Sequence, residues 1–121
     1  MEKLFKSTRG NQTPIDFYTS ILQGIASDGG LLVPDFDFEK KNLEDLLPLN
    51  YVDLATEIIG TFAPSDAKEA LHTACNQAYG EGLFCDEVVP VKKAGNVYVA
   101  ELYQGPTAVH SRIWHYLCFQ E

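Results

Sequence analysis

The sequence is poor in tryptophan, methionine, histidine, cysteine and positive charge, and it has no long apolar run. Its three cysteines, Cys75, Cys85 and Cys118, are odd in number, and no two are spaced as a CxxC pair. That argues against a disulfide framework and against a structural zinc site. His72, His110 and His115 do not combine with them into a ligand pattern, so no metal is expected. Lysine and arginine number 9 against 17 aspartates and glutamates, for a net charge of −8. Nucleic acid and anionic membrane are thereby excluded as partners, because both demand a basic face. No apolar run approaches the roughly 20 residues that a membrane-crossing helix needs. Met1-Glu2-Lys3-Leu4-Phe5-Lys6 lacks the apolar centre of a signal peptide, and a cytoplasmic address is expected. GxGxxG, P-loop, HExxH and GxSxG patterns are missing, as are internal repeats and low-complexity linkers.

What is there suits one small globular domain. The 121 residues are 45% hydrophobic and 21% charged, enough to build a core and not a disordered composition. Lys3 to Thr8 is β-tolerant, and Arg9-Gly10-Asn11 follows it as a turn signal. Thr13-Pro14-Ile15-Asp16 reads as a helix start, with Thr13 as the cap and Pro14 in the first helical position. Phe17, Tyr18, Ile21, Leu22 and Ile25 form its apolar face, and Ser27-Asp28-Gly29-Gly30 ends it. Leu31-Leu32-Val33 is a short strand stopped by Pro34.

Glu39 to Leu47 predicts a short helix with Leu43, Leu46 and Leu47 facing inward. Asn50 then caps a longer one, whose Tyr51, Leu54, Ala55, Ile58, Ile59 and Phe62 give the clearest amphipathic stripe in the chain. After Pro64-Ser65-Asp66, another stripe runs through Ala67, Ala70, Leu71, Ala74, Cys75 and Ala78, which places Cys75 as a buried, inert thiol. The acidic residues between Asp35 and Asp53 do not follow a calcium-loop spacing and read as a solvated face. Val88-Val89-Pro90-Val91 and Asn96 to Tyr103 predict two strands joined through Lys92-Lys93-Ala94-Gly95 as a hairpin. The composite is α+β: a small helical cluster with a few short strands.

Four separated motifs resemble the N-terminal domain of threonine synthases. They are Ser7-Thr8-Arg9-Gly10, then Gly24-Ile25-Ala26 with Ser27-Asp28-Gly29-Gly30-Leu31-Leu32-Val33-Pro34, then Tyr51-Val52-Asp53-Leu54-Ala55, and finally Glu101-Leu102-Tyr103-Gln104-Gly105-Pro106-Thr107. Each is weak singly; in this order and spacing, across residues 4–108, they are specific. The resemblance implies a pyridoxal-phosphate enzyme of fold type II that converts O-phosphohomoserine and water to threonine and phosphate. This chain would supply its N-terminal domain, residues 1–108, and would lack the cofactor-binding domains that partner it. A threonine-synthase-like lyase acting on a related phosphorylated amino acid shares these signatures. A non-catalytic interaction module is the reading from another class.

In the family, the lysine that holds the cofactor follows GPT directly, in a run GPT-A-A-F-K-D. A primary amine is required there because only an amine condenses with the cofactor's aldehyde. Aligned without gaps, that position is Ser111, followed by Arg112. Serine cannot do this chemistry, so no catalytic residue and no bound cofactor are expected in this chain, and it should be inactive alone. The tail from Val109 to Glu121 holds the only tryptophan and differs from everything before it. Among the codons available for Val109 to Leu117, reading from the third base of the Val109 codon yields Ala-Phe-Lys-Asp-Met-Ala-Leu. Residues 109–121 are therefore expected to be the product of a frameshift. Two further residues have roles to weigh. Arg9 would either bind a substrate phosphate, which guanidinium matches bidentately, or sit in a turn paired to a local acid. Thr107 would either touch cofactor or substrate, or cap the helix that begins at the lysine motif. Without its partner domains, the chain should expose apolar surface and self-associate.

Overall fold

The computed structural model describes residues 3–81 and 87–103. Its first layer is a three-stranded antiparallel sheet of order β2-β1-β3, formed by β1 (Leu4–Ser7), β2 (Ile15–Asp16) and β3 (Leu32–Pro34). Helix α1 (Phe17–Gln23) leaves β2 without a break. Next come α2 (Leu43–Leu46), α3 (Tyr51–Gly60), a 3-10 turn at Ser65–Ala67 and α4 (Lys68–Tyr79). A separate two-stranded hairpin, β4 (Val91–Ala94) and β5 (Val97–Ala100), follows. The α+β class expected from the sequence is the one found.

The core lies where α3 and α4 pack together and meet the sheet. Phe5, Phe17, Ile21, Ala63, Ala67, Leu71, Cys75 and Ala78 form it, with Val52, Ala55, Ile59 and Phe62 packed around it. Small residues on α4 let α3 approach closely, as the alanine-rich stripe implied. Ala70, however, lies outside the buried face. The inward side of α3 is also turned from the expected stripe. Thr56 is buried and Ile58 exposed, because the helix docks on α4 through Val52, Ala55, Ile59 and Phe62. The Thr56 hydroxyl avoids an unpaired buried donor by bonding Val52 O at 2.8 Å.

Local signals located the elements better than their edges. Asn50 caps α3 as expected, its side chain accepting from Asp53 N at 2.9 Å. Thr13 and Pro14 do not open α1. Leu4 pairs with Asp16 and Phe5 with Ile15 in the ladder, which holds both partners extended, so Asp16 becomes the cap and accepts from Thr19 N. Less than half of the apolar face expected for α1 is covered: Phe17 and Ile21 are buried, whereas Leu22 is 73% exposed and Tyr18 and Ile25 are also open. Pro34 is the last residue of β3, paired with Phe5, and does not precede its end. Helix α2 starts only after Asn42, whose side chain accepts from Glu44 N, and Leu43 and Leu47 are exposed where they were expected inside.

The hairpin is present with a shorter connection than predicted. Ala94 pairs with Val97, so Lys92 and Lys93 belong to the strand and Gly95-Asn96 make the turn. Gly95 has φ +62°, the left-handed conformation that two-residue hairpins favour. No helix among the described residues is long and apolar enough to cross a membrane.

Candidate functional site

Strand β1 ends in a loop that is stitched to the segment between α1 and β3. Asp28 is the centre of the stitching. Its Oδ1 accepts from Ser7 Oγ at 2.7 Å and from Gly30 N at 2.9 Å, and its Oδ2 accepts from Asn11 N at 3.0 Å. Ser7 is itself buried, and its Oγ accepts from Arg9 N at 3.1 Å. Thr8 adds a reciprocal pair, Thr8 N to Leu31 O and Leu31 N to Thr8 Oγ1, both at 2.9 Å. The donors, with the Ser7 hydroxyl foremost, hold the Asp28 carboxyl below the usual aspartate range.

The two glycines after Asp28 make room for this arrangement. A Cβ on Gly30 would run into Ser7 Oγ, and a Cβ on Gly29 would lie 2.9 Å from Arg9 Nη1. Gly29 also has φ +77°. Arg9 is exposed, and its Nη1 donates to the backbone carbonyl of Asp28 at 2.8 Å. Arg9 thus sits in the turn after β1, bonded to the backbone of Asp28, and its charge also helps to stabilise the Asp28 carboxylate. Arg9 takes part in none of the ion pairs among the described residues, which join Lys6–Asp35, Lys41–Glu57, Lys68–Glu57, His72–Asp53 and Lys92–Glu101.

A second cluster lies at the end of β5. Glu101 is buried, its carboxylate 2.9 Å from Lys92 Nζ, and its backbone N–H donates to Pro90 O. Hydrogen bonding to Glu101 pushes up the pKa of both Lys92 and Tyr103. The carboxylate thus clamps the strand end that leads toward Gly105-Pro106-Thr107. Thr107 and Ser111, and the whole 109–121 tail, lie outside the described residues.

The described lysines are poorly suited to condense with an aldehyde, which requires an amine made neutral by desolvation or a neighbouring cation. Lys6, Lys41, Lys68 and Lys92 are each engaged in an ion pair with a carboxylate. Lys3 Nζ donates to Thr61 O and Ala63 O at the end of α3, and Lys40 and Lys93 are exposed. A cleft of about 550 Å³ lies beside Lys3, Asp16, Tyr18, Pro64 and Ser65; Arg9 does not line it. Among the described residues, no group of His, Cys, Asp and Glu is placed to hold a metal ion.

Sequence reasoning gave Asp28 no role of its own, reading it as part of a helix end and of a family motif. The available signal was an aspartate ahead of paired glycines, together with a Ser-Thr-Arg-Gly run that also needed an explanation.

Comparison with known proteins points in one direction. The profile described as "Threonine synthase N terminus" matches residues 4–79. Threonine synthase of Pseudomonas aeruginosa is 36% identical over 111 residues, covering 84% of this chain and 22% of that protein. Mouse threonine synthase-like 1 is 35% identical over 100 residues, covering 78% of this chain and 13% of that protein. The crystal structure of PLP-bound threonine synthase from Brucella melitensis superposes with a TM-score of 0.78 at 26% identity, covering 96% of this chain and 26% of that one.

Proposed function

Since the chain belongs to the threonine synthase family through its N-terminal domain, we propose that it is the N-terminal part of a pyridoxal-phosphate enzyme that converts O-phosphohomoserine and water to threonine and phosphate. The observation that carries this reading is the match over residues 4–79, joined to a fold shared with a PLP-bound threonine synthase. The chain spans about a quarter or less of the relatives it matches, so the activity is that of the longer enzyme. Within it, the cofactor would supply an electron sink for chemistry on the bound amino acid.

The described residues do not fit the cofactor: their lysines are paired with carboxylates, bonded to carbonyls or exposed. The family motif points to Ser111 as the lysine position. The 121-residue chain is therefore inactive alone, residues 1–108 being the N-terminal domain and residues 109–121 a frameshifted tail. Arg9 contributes to holding the substrate phosphate, and Thr107 belongs to the motif that would contact cofactor or substrate in the longer enzyme.

Three measurements test these statements. Coding DNA across codons 109–117 should contain Phe-Lys-Asp in another frame, and its absence from every frame removes the frameshift. The purified chain, incubated with pyridoxal phosphate and dialysed, should keep no visible chromophore of a lysine-bound cofactor; a persistent one contradicts inactivity. The frame-restored, full-length product should release phosphate from O-phosphohomoserine with formation of threonine. Phosphate release without threonine would instead favour a phospholyase.

A further inference from the structure

We propose that Asp28 is a positioning residue that holds the Arg9 guanidinium ready for a phosphate monoester, an inference that rests on the phosphate-binding role of Arg9. The chain carries 17 acidic residues against 9 basic ones, yet Arg9 enters no ion pair among the described residues. The reason is visible in how Asp28 is used. Both of its carboxylate oxygens are engaged by Ser7 Oγ, Gly30 N and Asn11 N. What it offers Arg9 is its backbone carbonyl, 2.8 Å from Nη1.

The carbonyl anchors the guanidinium by one hydrogen bond, while the Asp28 carboxylate acts on it only through space, with its own oxygens bonded elsewhere. One donor is spent on fixing the side chain, and the rest of the guanidinium fork is left for a bidentate anion contact. The missing side chain at Gly29 is part of the same device, since a Cβ there would sit 2.9 Å from Nη1. An arginine already ordered in the free protein avoids the entropy of ordering a long side chain when ligand arrives. Ser7 and Asn11 serve Arg9 indirectly, through the carboxylate that shapes the loop.

The 121-residue chain itself can be tested with inorganic phosphate as the probe, followed by NMR of the Arg9 Nε–H. In the wild type, this group should be motionally restricted and should shift on titration. In D28N it should become mobile, and phosphate should bind about two- to tenfold more weakly, the ordering cost of one such side chain. G29A provides the same test without touching the carboxylate, should D28N fail to fold, because its methyl displaces Nη1. If phosphate leaves Arg9 unshifted in the wild type, the phosphate-binding reading itself falls. If phosphate shifts Arg9 with equal affinity in the wild type, G29A and any folded D28N, only the positioning role is overturned.

Discussion

At the scale of single residues, Asp28 shows how one carboxylate can unite two distant motifs. Its pKa is lowered in the folded chain, so its contribution is fully present above the ordinary aspartate value of about 3.9. That contribution is lost as pH falls through the lower folded value. Thermal melts followed by circular dichroism should show wild-type stability dropping below about pH 4, and D28N should flatten that part of the profile while melting lower at neutral pH. Asp16 and Glu57 also have lowered values, set by Thr19 and by Lys41 with Lys68, and will keep some acid sensitivity in the variant. Gly30→Ala forces a methyl against Ser7 Oγ and should cost about 1–3 kcal/mol in urea unfolding, the usual range for overpacking. Cys75 is fully buried, and burial pushes its thiol pKa up. In a C85S/C118S background, a thiol reagent should therefore label Cys75 only at the rate of unfolding.

At the scale of elements, capping and periodicity carried the α3–α4 pair. Asn50→Ala removes the bond to Asp53 N and should destabilise by about 1 kcal/mol, read as a lower urea midpoint with an unchanged slope. Leu71 is 2% exposed between α3 and α4, and Leu71→Ala should cost about 2–5 kcal/mol in the same measurement. The existence of α1, α3, α4, β1 and the hairpin was legible in the sequence because each depends on neighbours within one or two turns. The start of α1 was not. Thr13-Pro14 is a good local helix opening, but pairing of Ile15 and Asp16 with β1 overrides it, and nothing in those residues announces a partner in strand β1. The lysines placed in the hairpin turn were misjudged for the opposite reason: a two-residue Gly-Asn connection was available, and the longer loop was preferred.

At the scale of the whole molecule, apolar surface is left open in two places. Leu22, Ile25 and Leu31 are exposed near the end of α1, and every residue of β4 and β5 is exposed, with Tyr98 at 72%. A two-stranded hairpin is at best marginally stable without something against a face. The isolated chain should associate as concentration rises, which sedimentation velocity would detect, and V97T/Y98T/V99T should shift it toward monomer if the hairpin is the contact. The sequence by itself determined the family and the existence of the main helices. Motif order, capping and helical periodicity are all written in residues close to one another. Only the tertiary structure decided what Ser-Thr-Arg-Gly and Ser-Asp-Gly-Gly do together, because the bonds from Ser7, Arg9 and Asn11 to Asp28 cross 17–21 positions. No local periodicity can encode a contact at that separation; it forms once β1 and β3 pair and bring the two loops side by side.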